Sequence, residues 1–276
     1  MPSEDKEWFD FAGFIQEVEK EICAKLLAER GRFPSVERLV NRFRESSTKL
    51  LSEGPRKKFR GFQENHNELC VALCILRDRE SCSKLEYEPP FSTCAKRIDF
   101  KATFTEGGVT FFDVKTINPV SQDDWTKYED AIARGLFPPR VEVHLEKEWL
   151  GGELWHGMTA ARSKMFEYAI EVEEKISSCD ADIGSLPVVL AFCGDGFKWH
   201  IDDLEDFVDF YRTERYRYDD PFSKMEAHHI SEKSISLTRR ISHFAYFGRP
   251  NFEILPKAVC WEVRGPKWGR QSRIRA

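Results

Sequence analysis

RIDFKATFTEGGVTFFDVKTI, residues 97–117, alternates apolar and polar side chains on either side of a turn containing two adjacent glycines. That period of two predicts a β-hairpin. In 97–104 the even positions Ile98, Phe100, Ala102 and Phe104 are apolar, and the odd positions Arg97, Asp99, Lys101 and Thr103 are polar. Successive strand residues point to opposite faces, so Asp113 and Lys115, two apart, share a face, while Phe112 and Val114 point the other way. If the apolar rows pair, Asp99 joins Asp113 and Lys115. The turn length decides this. A three-residue loop, Glu106-Gly107-Gly108, sets Asp99 opposite Lys115, and a five-residue loop sets it opposite Asp113. An unbulged even-length loop sends Asp99 to the wrong face.

Outward from the hairpin, residues 84–88 (KLEYE) read as a preceding strand. Three helices come before it. Residues 4–30 carry Trp8, Phe11, Ile15, Val18, Ile22 and Leu26 at helical steps. A second helix, capped by Ser35, bears Leu39, Val40, Phe43 and Leu50 and stops at Gly54-Pro55. A third spans about Lys57 to Arg79 around Leu69, Ala72, Leu73 and Leu76. After the hairpin come a loop and helix over Gln122–Gly135, then a strand around Arg140–Leu145. A helix over 159–178, capped by Thr159, precedes a buried strand, Val188–Cys193. The segment 201–213 is helical again, with Leu204, Phe207, Val208 and Tyr211 on one side. Arg215–Ser236 carries no pattern that assigns it. The expected fold is α/β, a mixed central sheet flanked by helices. It divides into an N-terminal helical region (1–56), a core (57–214) and a C-terminal extension with a basic tail (215–276).

Composition narrows the class. Twenty-two Phe and seven Trp argue for a packed core rather than disorder. A formal net charge of −5 removes any global basic field, so a nucleic-acid partner would depend on local patches. No apolar run approaches the roughly 18–20 residues that span a bilayer. The acidic, aromatic start MPSEDKEWFDF is unlike a signal peptide. The reading is a soluble, cytoplasmic protein whose eight Cys are mostly reduced thiols.

Two carboxylates converging beside a lysine suit phosphodiester chemistry. Mg²⁺ prefers oxygen ligands, typically one or two carboxylates completed by water and phosphate. The helix ELCVALCIL followed by RIDF on one strand and FFDVKT on the next resembles the PD-(D/E)XK, restriction-endonuclease-like superfamily of nucleases. The resemblance covers about 50 residues, roughly 140 if the order of later elements is included. It implies a restriction-endonuclease-like core and a Mg²⁺- or Mn²⁺-dependent endonuclease acting on DNA. Asp99 and Asp113 would be metal ligands, with the Val114 carbonyl a third. Lys115 would serve the attacking water, and Glu68 would be the helix carboxylate, with Glu64 one turn earlier as the alternative. Members often dimerise, so a homodimer is expected to be allowed. Ile98 stands where the family name has Pro. Gln122 and Tyr128 are too far apart for the Gln-x-x-x-Tyr that one subset carries, which leaves the subfamily open.

Other features carry less. Cys70, Cys74, Cys82 and Cys94 lack the close CxxC pairs of zinc or iron–sulfur sites, and Cys179, Cys193 and Cys260 have no obvious partner. His66 reads as a packing or surface histidine, His228-His229 as a polar loop, and Gly194-Asp195-Gly196 as a turn. Three basic stretches, RKKFR at 56–60, Arg239-Arg240 and the tail from Arg264, are candidates for phosphate contact. RKKFR falls beside the Glu68 helix, at the rim of the expected site.

Overall fold

The structure is a computed structural model that describes residues 10–77, 82–92, 96–116, 153–194, 204, 207–208, 211–212, 240–248 and 257–262. The expected helix over 122–135, the strand near 140–145, the His228-His229 segment and the basic tail lie outside the described residues. No helix among the described residues is long and apolar enough to cross a membrane.

The first helical stretch is α1 (Phe11–Val18), a π-helical turn (Glu19–Cys23) and α2 (Ala24–Ala28). Asp10 caps it, its Oδ1 accepting from the Gly13 amide at 2.8 Å. Next come α3 (Val36–Glu53) and α4 (Pro55–Arg77), joined through Gly54 at φ 85°, a conformation that favours glycine. Ser35 precedes α3 but does not cap it. Its hydroxyl instead accepts from the Tyr87 amide at 2.7 Å, tying the helix start to the first strand.

A six-stranded sheet follows, in the spatial order β1 to β6: β1 (Cys82–Tyr87), β2 (Phe100–Phe104), β3 (Val109–Thr116), β4 (Val188–Gly194), β5 (His243–Gly248) and β6 (Lys257–Glu262). The first three strands form an antiparallel meander; β4 and β5 run parallel to β3, and β6 returns antiparallel. The mixed sheet is thus as the hydrophobic pattern predicts. The last two strands had gone unassigned, because β5 is nearly all apolar and has no alternation to announce a strand. α5 (Glu153–Ser178) connects β3 to β4 and begins earlier than expected, so Thr159 lies inside it rather than at its cap.

Helices cover both faces. α1 to α4 bury Val18, Leu39, Phe43, Leu69 and Leu73 against Leu85, Phe100, Ala102, Ala191 and Phe247 in one continuous cluster. On the other face, Met165, Phe166, Ala169 and Val172 of α5, with helical Leu204, Phe207 and Tyr211, pack against Phe111, Leu190, Phe192 and Phe244. Ile98 belongs to this second cluster and not with Phe100 and Ala102, because β2 begins at Phe100 and the chain before it is not extended in register.

Candidate active site

The β2–β3 register pairs Phe100 with Phe112 and Thr103 with Val109, which leaves a five-residue connection. Gly107, at φ 84°, lets it turn. The paired register ends at Phe100 and Phe112, one residue short of Asp99 and Asp113, and the two carboxylates are near enough for their charges to interact.

Asp113 and Lys115 point to the α5 side of the sheet, on the same face as Phe111. Asp113 is fully buried. Its Oδ2 accepts from Lys175 Nζ at 2.7 Å, whereas Oδ1 has no hydrogen-bond partner among the described residues and lies 3.5 Å from Lys115 Nζ. Lys115 Nζ donates to Glu171 Oε1 at 2.6 Å and sits 5.5 Å from the centroid of the Tyr168 ring. Tyr168, Glu171 and Lys175 occupy positions i, i+3 and i+7 of α5, one stripe beside its buried face.

Asp99 lies just outside the ladder. Its Oδ2 accepts from the Val114 amide at 2.6 Å, taking the place that a β2 carbonyl would hold had the strand continued. The amide and carbonyl of one strand residue point to the same side, so the Val114 carbonyl opens toward this gap as well. The Asp99 carbonyl accepts from the Glu88 amide at 2.7 Å.

Glu68 approaches from α4, on the other face. It accepts from the Tyr87 hydroxyl at 2.6 Å. Glu64, one turn earlier, is instead paired with Arg60 at 2.9 Å, so of the two only Glu68 faces the site. Arg42 of α3 donates to the Tyr87 hydroxyl and to Glu88 Oε1, the latter at 2.8 Å. Glu88, at φ 43°, also receives Arg97 at 2.8 Å.

The crowding shows in the electrostatics. Burial, then the nearby Asp113 and Glu68 charges, hold the Asp99 carboxyl well above the usual range, against the opposing pull of Lys175 and the Val114 amide. Burial pushes Glu68 up to about 7, although the Tyr87 hydrogen bond and Arg42 act the other way. For Lys115 burial opposes the charged form, but Asp113, Glu171 and Asp99 outweigh it and raise its pKa. Lys115 is therefore a firmly protonated cation.

The residues suit a hard cation in kind. Asp113 offers a buried oxygen without a hydrogen-bond donor among the described residues, and Asp99 and Glu68 are carboxyls held toward their neutral forms by burial, whose ionised forms a bound cation would favour. Among the described residues, no group of three or more His, Cys, Asp or Glu side chains stands close enough to hold a metal ion. What fits is a smaller set, Asp99 and Asp113 with the Val114 carbonyl, within the one or two carboxylates that Mg²⁺ commonly takes. Glu68 is held by Tyr87, across the sheet from Asp113. No family model, no curated protein and no solved structure matches the chain.

Lys175, Glu171, Tyr87 and Arg42 were not singled out from the sequence. The Glu171/Lys175 pair at i,i+4, flanked by Val172 and Ile176, was the one local signal available, and it is shared by many solvated helices. Among the other candidates, His66 is buried against Phe14, Phe43 and Phe62 and is a packing residue. Cys70, Cys74 and Cys82 are reduced thiols outside any disulfide. Cys179, which had no obvious partner, is disulfide-bonded. Arg240 is engaged structurally, with Asp180 at 2.8 Å and the Gly184 carbonyl.

Proposed function

We propose that the protein is a divalent-metal-dependent nuclease that hydrolyses phosphodiester bonds, foremost in DNA, through Asp99, Asp113, Lys115 and Glu68. The observation that carries this reading is the nearness of Asp99 to Asp113 beside the β2–β3 hairpin, with Lys115 Nζ 3.5 Å from Asp113. The order of elements adds support: a helix, an antiparallel three-stranded meander, a helix, then a strand parallel to the third is the layout expected of a restriction-endonuclease-like core.

On this reading Asp99, Asp113 and the Val114 carbonyl hold Mg²⁺ or Mn²⁺, which when bound acidifies a water and offsets charge on the phosphate. Lys115, kept protonated by its carboxylate neighbours, orients the attacking water as a donor and neutralises charge developing on the phosphate oxygens. It is not the base. Glu68, poised near pH 7, is the group able to exchange a proton at neutral pH. Tyr87 and Arg42 position it.

One observation favours a second reading, a non-catalytic nucleic-acid-binding or assembly module with the same fold. Lys175–Asp113 at 2.7 Å and Lys115–Glu171 at 2.6 Å leave the charged groups mutually satisfied. Titration calorimetry with Mn²⁺, run beside cleavage of a duplex oligonucleotide, separates the two. The nuclease reading expects Mn²⁺ uptake and cleavage by the wild type, and loss of both in Asp113→Ala. Lys115→Ala should lose cleavage by about 10²–10³-fold while keeping Mn²⁺ binding. A wild type that neither binds Mn²⁺ nor cuts any nucleic acid sinks the proposal.

A further inference from the structure

α3 and α4 double back on each other through Gly54, and a groove of about 400 Å³ opens along their outer seam. Arg42, Lys49, Lys57, Lys58 and Arg60 line it. Glu45 and Glu64 are its two carboxylates, and Arg60 already pairs with Glu64 at 2.9 Å. A groove with five cations against two acids stands out on a chain whose formal net charge is −5. Lys58 leans on Glu53 at 3.1 Å, whereas exposed Lys49 and Lys57 have no carboxylate partner among the described residues.

The floor gives an independent sign. Gly61 sits in the interior of α4, where glycine is disfavoured relative to alanine. Its backbone does not adopt the left-handed region that would require glycine, and a Cβ built there would meet nothing within 4 Å. Neither conformation nor close packing explains it. Its effect is to leave the groove open between the cations. Arg42, which lines the groove, also donates to the Tyr87 hydroxyl and to Glu88, and that hydroxyl holds Glu68, so the groove and the α4-face carboxylate share a contact residue.

We propose that this groove seats the phosphate backbone of a nucleic-acid duplex on the α3/α4 side of the sheet, the side from which Glu68 approaches. That the anion is a nucleic acid rests on the nuclease reading. The lining favours duplex over single strand, because it includes no aromatic side chain on which an unpaired base could stack. Its concavity between two helices suits a curved polyanion better than a flat membrane surface.

The test is binding rather than turnover. Fluorescence anisotropy with a labelled 20-base-pair DNA in EDTA, across a salt series, should show affinity falling as salt rises, as counterion release requires. Lys49→Glu/Lys57→Glu should weaken binding about tenfold or more and lower the salt slope by about two. Gly61→Leu changes no charge and improves helix propensity, so it should melt no lower than wild type yet bind the duplex about tenfold more weakly. Wild-type affinity in both variants overturns the groove while leaving the nuclease reading untouched. Groove-dependent binding by a protein that never cleaves sustains the groove and removes the nuclease. Failure of the wild type to bind duplex, or groove-dependent binding to phosphatidylserine vesicles instead, also overturns it.

Discussion

Two carboxylates flank Asp99 from opposite faces of the sheet, and the protein handles them differently. Asp113, on the α5 face, is buried completely but receives a lysine from α5 at 2.7 Å and a second lysine at 3.5 Å. Glu68, on the α4 face, receives a neutral hydroxyl, with Arg42 at more distance, and burial drives its pKa to about 7. One face brings lysines to its carboxylate, and on the other burial favours the protonated form of Glu68. The lesson is that two buried carboxylates on one sheet can be given different partners by the helices that cover its two faces. Asp99, between them, feels both.

The comparison breaks most visibly at Lys175. Lys175→Met should cost about 3 kcal/mol in urea unfolding at pH 8, because it strips a fully buried carboxylate of its nearest cation. Added Mn²⁺ should recover part of that loss if Asp113 takes metal; an unchanged urea midpoint would show that the pair contributes nothing. On the other face the effect is smaller. Tyr87→Phe removes one hydrogen bond to Glu68 and should cost about 1.5 kcal/mol. It should also raise Glu68 above its present value, since that bond favours the charged form, and a carbon-detected NMR titration of the Glu68 carboxyl would read this directly.

The smallest effect is one of slope. Glu68 has a folded-state pKa of about 7, above the ordinary glutamate value of about 4.5, so between those pH values the native state binds more protons than the unfolded one. Stability should then fall as pH rises from about 4.5 to 7 and level off beyond. Glu68→Gln should make that decline shallower, with Asp99 supplying what remains, and should leave the variant at least as stable as wild type above pH 7. Denaturant midpoints at pH 5, 6, 7 and 8 would show it, and an undiminished slope would exonerate Glu68.

Much of this layout was readable beforehand, for a physical reason. Strand period is local, so FFDVKT by itself places Asp113 and Lys115 on one face, and the apolar rows of the hairpin already required an odd-length turn. Helix period likewise located α3 and α4 within a few residues. Signals failed where the pattern was uniform or interrupted. β5 is nearly all apolar, and β2 begins only at Phe100, three residues later than the alternation suggests.

Sequence alone, then, determined the Asp113/Lys115 pair and the set of registers that could bring Asp99 to it. Tertiary structure chose among them: it selected the five-residue turn, ended β2 so that Asp99 bonds Val114, and rotated α4 so that Glu68 rather than Glu64 faces inward. It also carried Lys175 across 62 residues to Asp113. Side-chain periodicity depends on each residue's immediate neighbours in the chain. Helix rotation and ion pairing depend on which apolar faces are buried together, and that is decided only when the whole sheet is assembled.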